Sequence, residues 1–154
     1  DKIQDVVQKI KDAGIYVIGN YIFGLPEDTE KSMQDTLDMA IEINTEWVNF
    51  YCAMAYPGSE LHKISRKEGV ILPEDRSDIG WIGYSQHAYE VFPMSTKTLT
   101  SAEVLKFRDK AFKKYFTGEK YLNMIRAKFG EKTENYIKEM AKKDMKRKIL
   151  EHQK

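Results

Sequence analysis

The sequence predicts an α/β fold: a first part with two parallel strands, followed by an α-helical C-terminal region. Three observations carry this. Apolar residues recur at helical spacing on either side of two short, strand-like apolar runs. Each run ends in a Gly/Pro turn and then a cappable helix start. From residue 100 onward the pattern is helical throughout, interrupted only at Gly118 and Gly130.

Residues 2–13 place Ile3, Val6, Val7 and Ile10 on one helical face, and Gly14 follows as a stop. The stretch 15–23 is β-branched and aromatic without alternation. That pattern belongs to a strand covered on both faces, inside a parallel sheet. Gly24-Leu25-Pro26 ends it. Residues 29–43 form a helix buried through Met33, Leu37, Ala40 and Ile41, capped by Asp28 or Thr29 and stopped at Asn44. Residues 47–53 make the second strand. Pro57-Gly58 turns the chain, and Ser59 caps a short helix reaching Glu68.

The order helix, strand, helix, strand, helix over residues 1–69 implies right-handed crossovers and a parallel sheet. Two strands are few for such a sheet, so further strands are expected from outside this sequence or from a second copy of the chain. Residues 70–99 lack periodicity and read as an irregular covering segment with Trp81, Tyr84, His87, Tyr89 and Phe92. Residues 100–154 read as a helical region. Thr100 and Glu103 form a capping box, and a last helix is expected from about Thr133 through Ile149.

Composition is that of a globular chain, with 42% hydrophobic and 32% charged residues. No apolar run is long enough to span a membrane. With no leader pattern and one cysteine, Cys52, the expected setting is a reducing cytoplasm without disulfides. Charge is unevenly spread. Residues 1–60 carry 4 Lys/Arg against 11 Asp/Glu, and residues 61–154 carry 21 against 13. The basic residues Lys142, Lys143, Lys146, Arg147 and Lys148 read as a solvated helix face, which makes nucleic acid an unlikely partner. His62, His87 and His152 show no metal-ligand spacing, and Cys52 reads as a small buried hydrophobe.

The motif Asn20-Tyr21-Ile22-Phe23-Gly24-Leu25-Pro26-Glu27 resembles the fifth strand of the radical S-adenosylmethionine enzymes, written Gly-x-Ile-x-Gly-x-x-Glu in that family. Ile22, Gly24 and Glu27 match, and Asn20 replaces the first Gly. Tyr56-Pro57-Gly58-Ser59-Glu60-Leu61 resembles the exit of the family's sixth strand. Trp81, Tyr84 and Thr98-Leu99-Thr100-Ser101-Ala102-Glu103 are similar to the tail of a subgroup with a cobalamin-binding domain.

The resemblance implies that residues 1–69 are the C-terminal part of a (β/α) barrel, a partial barrel needing an N-terminal half. It implies S-adenosylmethionine and a [4Fe–4S] cluster in a longer enzyme, with cobalamin as a possible addition. A single cysteine cannot hold such a cluster, so its ligands would lie outside this sequence. It further implies cofactor contacts from Asn20, Ile22, Gly24, Glu27, Cys52, Ala53 and Met54, and small-molecule substrate contacts from Trp81, Tyr84 and His87. The alternative reading is a non-catalytic helical interaction module whose basic tail binds protein or nucleic acid.

Overall fold

The computed structural model describes residues 2–151. Its elements are α1 (Lys2–Asp12), β1 (Ile18–Phe23), α2 (Glu30–Ile43), β2 (Trp47–Cys52), α3 (Glu60–Lys67), two 3₁₀ turns (Pro73–Asp75 and Gly80–Tyr84), α4 (Ser101–Phe116), α5 (Glu119–Phe129), α6 (Glu131–Ala141) and α7 (Lys148–Glu151). The class is α/β with a helical C-terminal region.

The two strands neighbour one another in a single sheet. Trp47 N donates to Val17 O at 3.4 Å and Ala53 N to Phe23 O at 2.7 Å. Both pairs are offset by the same interval in the same direction, so the strands run parallel in one register. Among the described residues the sheet has two strands, and no partial barrel is shown.

β1 departs from the two-sided burial expected of it. Ile18, Asn20 and Ile22 are exposed, whereas Gly19 and Tyr21 are half-buried and Phe23 is buried. One face of β1 therefore has no cover among the described residues. β2 alternates cleanly, with Val48, Phe50 and Cys52 buried.

Local chemistry sets the element ends. Thr29 Oγ1 accepts from Ser32 N (3.2 Å) at the start of α2. Asn44 ends that helix in the left-handed region at φ 51°. Ser59 Oγ accepts from His62 N (3.1 Å) ahead of α3. The capping box forms: Glu103 Oε2 accepts from Thr100 N (2.8 Å), and Thr100 Oγ1 from Glu103 N (3.3 Å). The expected long last helix is replaced by α6, an irregular link over 142–147, and the short α7.

The chain divides into two compact units. The first comprises Asp1–Tyr21, Gln34–Phe50 and Lys110–Lys143. Its interior is aromatic: the Tyr115 ring lies 4.8 Å from Tyr121 and 5.8 Å from Phe50. The hydroxyls of Tyr115 and Tyr121 donate to the backbone carbonyls of Thr45 (2.7 Å) and Glu46 (3.1 Å). The buried Glu46 carboxylate accepts from Val17 N at 2.8 Å and pairs with Lys128. Lys11 Nζ donates to the Ile43 and Asn44 carbonyls, satisfying the end of α2.

The second unit comprises Ile22–Met33, Tyr51–Asp109 and Asp144–Lys154. Its core gathers Cys52, Met54, Tyr84, Val91, Val104 and Leu105, beside a smaller cluster of Ala53, Ala55, Leu72 and Met94. Arg147, expected on a solvated helix face, is instead 2% exposed. Its guanidinium grips Asp109 through Nε–Oδ2 (3.1 Å) and Nη2–Oδ1 (3.2 Å). Lys148 N donates to Tyr89 O at 2.9 Å. These contacts draw the chain inward after residue 144, where a continuous helix would have kept Arg147 in solvent.

Candidate functional site

The turns that follow β1 and β2 place a cavity of about 430 Å³ in the second unit, beside the carboxyl ends of the strand segments. Ligand sites of open parallel sheets gather at this end. After β1, Gly24 takes φ +84°. The Asp28 carboxylate then closes the loop, accepting from Gly24 N (3.0 Å), Leu25 N (2.9 Å) and Ser32 Oγ (2.7 Å). This turn presents Leu25 to the cavity beside Ile22. After β2, the buried Cys52, Ala53 and Met54 form the floor. Tyr51, Tyr56 and Leu61 add further walls, and Gln86 reaches in from the irregular segment.

None of these lining residues is Asp, Glu, Lys, Arg or His. The cavity therefore suits an uncharged, largely apolar group, because a buried charge without a partner is costly. Gln86 is its polar feature. Oε1 accepts from Cys52 N at 3.0 Å and Nε2 donates to Cys52 O at 2.8 Å, as a neighbouring strand would. An amide group has two donors and two acceptor lone pairs. This contact uses the edge on which donor and acceptor point the same way; the remaining N–H and lone pair diverge to opposite flanks of the amide.

Cys52 is 2% exposed, and burial pushes its thiol up to about 12. Since the thiolate is the reactive form, Cys52 is expected to resist iodoacetamide at pH 8 in the folded chain and to react readily in urea. Mass spectrometry of the alkylated protein checks this. Rapid native labelling would contradict the burial.

Next to the cavity lies a polar cluster. Glu74 accepts from Tyr84 OH (2.5 Å) through Oε2, while its Oε1 lies 2.8 Å from His62 Nε2 and 3.0 Å from Arg66 Nη2. Burial alone would raise the Glu74 carboxyl, but the hydrogen bonds from Tyr84 and His62 outweigh it and hold the group low. Tyr84 is itself pushed upward, by burial first and then by Glu74.

Of the cofactor residues expected from the sequence, the cavity brings together Ile22, Cys52, Ala53 and Met54. Asn20 instead accepts from Asn49 Nδ2 (2.9 Å) across the sheet. Glu27 is exposed and pairs with Lys97 at 2.5 Å. Gly24 is buried, and a Cβ there would lie 2.5 Å from Val104 Cγ1. Its missing side chain leaves room for the Val104 methyl groups. The backbone of Cys52 is taken by Gln86, and that of Ala53 by Phe23 and Met94.

Of the expected substrate residues, Trp81 and Tyr84 stack. His87 is exposed at the surface but partly desolvated by its surroundings, and this desolvation, followed by the charges of Arg108 and Arg147, lowers its pKa. His152 lies outside the described residues. Sequence reasoning missed Gln86, Tyr51 and Tyr56. Tyr56 stood inside the Tyr-Pro-Gly motif, but nothing local marked Gln86.

No family model matches the chain. It is similar to a protein of Pyrococcus horikoshii described as an uncharacterized methyltransferase, with 25% identity over 119 residues. The match covers 77% of this chain and 24% of that protein, so the chain spans about a quarter of the relative's length.

This finding corrects the resemblance to radical S-adenosylmethionine enzymes. The relative is described as a methyltransferase, and among the described residues no group of three or more His, Cys, Asp or Glu could hold a metal ion. The radical chemistry, the iron–sulfur cluster and the cobalamin drawn from that resemblance do not stand. The motifs that suggested it have local explanations: Gly24 packs on Val104, Asp28 ties the first turn, and Ser59 caps α3. Among the described residues no helix is long and apolar enough to cross a membrane.

Proposed function

We propose that this chain is part of an S-adenosylmethionine-dependent methyltransferase, and that its second unit holds the adenine end of the methyl donor. The similarity to a described methyltransferase supports the class. The uncharged, largely apolar cavity at the strand ends is the observation that carries the placement. Gln86, whose paired edge is held by Cys52, can offer the ring a single further N–H or lone pair. Tyr51, Tyr56, Ile22 and Leu25 supply flat and aliphatic surface for the ring. The ammonium and carboxylate of the methionine end need charged partners, which the lining does not offer, so the fit is to adenine alone. When bound, S-adenosylmethionine supplies an electrophilic methyl group. This chain's share is to bind and orient the ring and to keep water from it.

Isothermal titration of the chain with S-adenosylmethionine tests the reading. Adenosine is expected to compete, and methionine alone is not. Ile22 is half exposed at the cavity, so Ile22→Trp should fill the space without disturbing the core, and by excluding the adenine ring from its contacts is expected to weaken binding about tenfold or more, on the order of what one stacked base contributes. Competition by methionine but not adenosine, or unchanged binding in Ile22→Trp, would remove the cavity from the proposal. No binding by a chain with intact far-UV circular dichroism would remove the proposal itself.

A further inference from the structure

Beside the cavity, three aromatic rings form a near-parallel array. The turn Gly80–Tyr84 is a 3₁₀ helix, in which side chains three residues apart eclipse one another. Trp81 and Tyr84 are therefore superposed, with centroids 6.1 Å apart and planes 25° from parallel. Tyr56 continues the array from the other strand exit, 5.5 Å from Tyr84 at 30°.

The middle ring is fixed. Tyr84 is 8% exposed, its hydroxyl donates to Glu74, and its carbonyl accepts from Tyr56 OH at 3.3 Å. The turn is clamped as well. A Cβ on Gly83 would lie 2.5 Å from Ile79 Cγ2 and 2.9 Å from Pro73 Cβ, so only glycine allows this packing. The outer rings remain open, Trp81 at 66% exposure and Tyr56 at 49%. A single exposed aromatic needs no explanation. Trp81 and Tyr56 flank a buried, hydrogen-bonded Tyr84, so each exposed ring is backed by a fixed aromatic and offers its outer face for stacking. The charges beside the array are engaged, Arg66 by Glu74 and Asp75 and His62 by Glu74. The surface therefore selects for shape rather than charge.

We infer that Trp81, Tyr84 and Tyr56 form a shelf for a flat, uncharged heteroaromatic ring of a small-molecule substrate. Its role as the methyl acceptor's site rests on the methyltransferase reading, while ring binding at Trp81 does not.

The test is a titration followed by the indole N–H resonances of the two tryptophans, Trp47 and Trp81, assigned through Trp81→Leu. The probes are nicotinamide, which is planar, and cyclohexanecarboxamide, which has the same amide on a puckered ring. Nicotinamide is expected to shift the Trp81 signal saturably, and cyclohexanecarboxamide to leave it in place. Trp81→Leu, at an exposed position, should lower nicotinamide affinity about tenfold while Trp81→Phe retains most of it, in line with the stacking contribution of one ring. Affinity should persist in Ile22→Trp, where S-adenosylmethionine binding is expected to weaken, so failure of the cofactor site and failure of the shelf are separate results. Equal binding of the two amides, an unmoved Trp81 signal, unchanged affinity in Trp81→Leu, or joint loss of both ligands in Ile22→Trp would each overturn the inference.

Discussion

Asp109→Ala is expected to destabilise the chain by about 3 kcal/mol, the low end of the cost of removing one partner from a buried ion pair, because the Asp109 side chain keeps 27% of its surface exposed. Arg147 and Arg108 are 2% and 3% exposed, and both guanidiniums bond to this carboxylate. Without it, the buried Arg147 guanidinium loses its carboxylate in the interior of the second unit, where desolvation makes an uncompensated charge expensive. The damage should extend to the candidate site. Arg147 Nη1 also donates to the carbonyls of Ala88 (3.1 Å) and Gln86 (3.4 Å), and so anchors the segment that aims Gln86 at the cavity. Urea unfolding followed by circular dichroism measures the effect. Asp109→Asn keeps an acceptor oxygen and should lose less. A cost below about 1 kcal/mol for Asp109→Ala would place this pair among surface ion pairs instead.

The pattern of local signals explains which parts of this fold could be read from the sequence. The helix starts at Ser59 and Thr100 and the stop at Asn44 depend on residues within four positions of one another, and all three form as expected. Gln86 pairs with a strand end 34 residues away. Arg147 finds its carboxylate 38 residues away. Each sits in a stretch whose composition gives the opposite impression: Gln86 in an aperiodic loop, Arg147 in a Lys-rich run that reads as solvated. Long-range pairing of a polar group leaves no period to detect. β1 failed for a related reason. Its run of apolar residues signals burial on both faces, but burial depends on which elements cover the sheet, and Ile18 and Ile22 stay open among the described residues. The short motifs at the strand exits misled because Gly-Leu-Pro and Tyr-Pro-Gly are also what tight strand-to-helix turns require.

Gly24 separates these two explanations by experiment. If its role were to admit a ligand, Gly24→Val would impair binding and leave stability near normal. The structure gives a different expectation. At φ +84° a branched residue is strained, at a cost on the order of 1–2 kcal/mol. The added Cβ would sit 2.5 Å from Val104 Cγ1, and Val104 is fully buried, so overpacking adds about 1–3 kcal/mol more. Gly24→Val is therefore expected to lower the unfolding midpoint in urea whether or not any ligand is present. Gly24→Ala isolates the cause. It retains both the backbone strain and the Cβ clash, but the clash needs the Val104 methyl groups. In a Val104→Ala background the clash disappears while the strain remains, so Gly24→Ala should cost about 1 kcal/mol less there than in the native background. An equal cost in the two backgrounds would leave backbone conformation as the sole reason for glycine. No cost in either would return Gly24 to the ligand, and with it the reading that the strand-exit loop touches what the cavity binds.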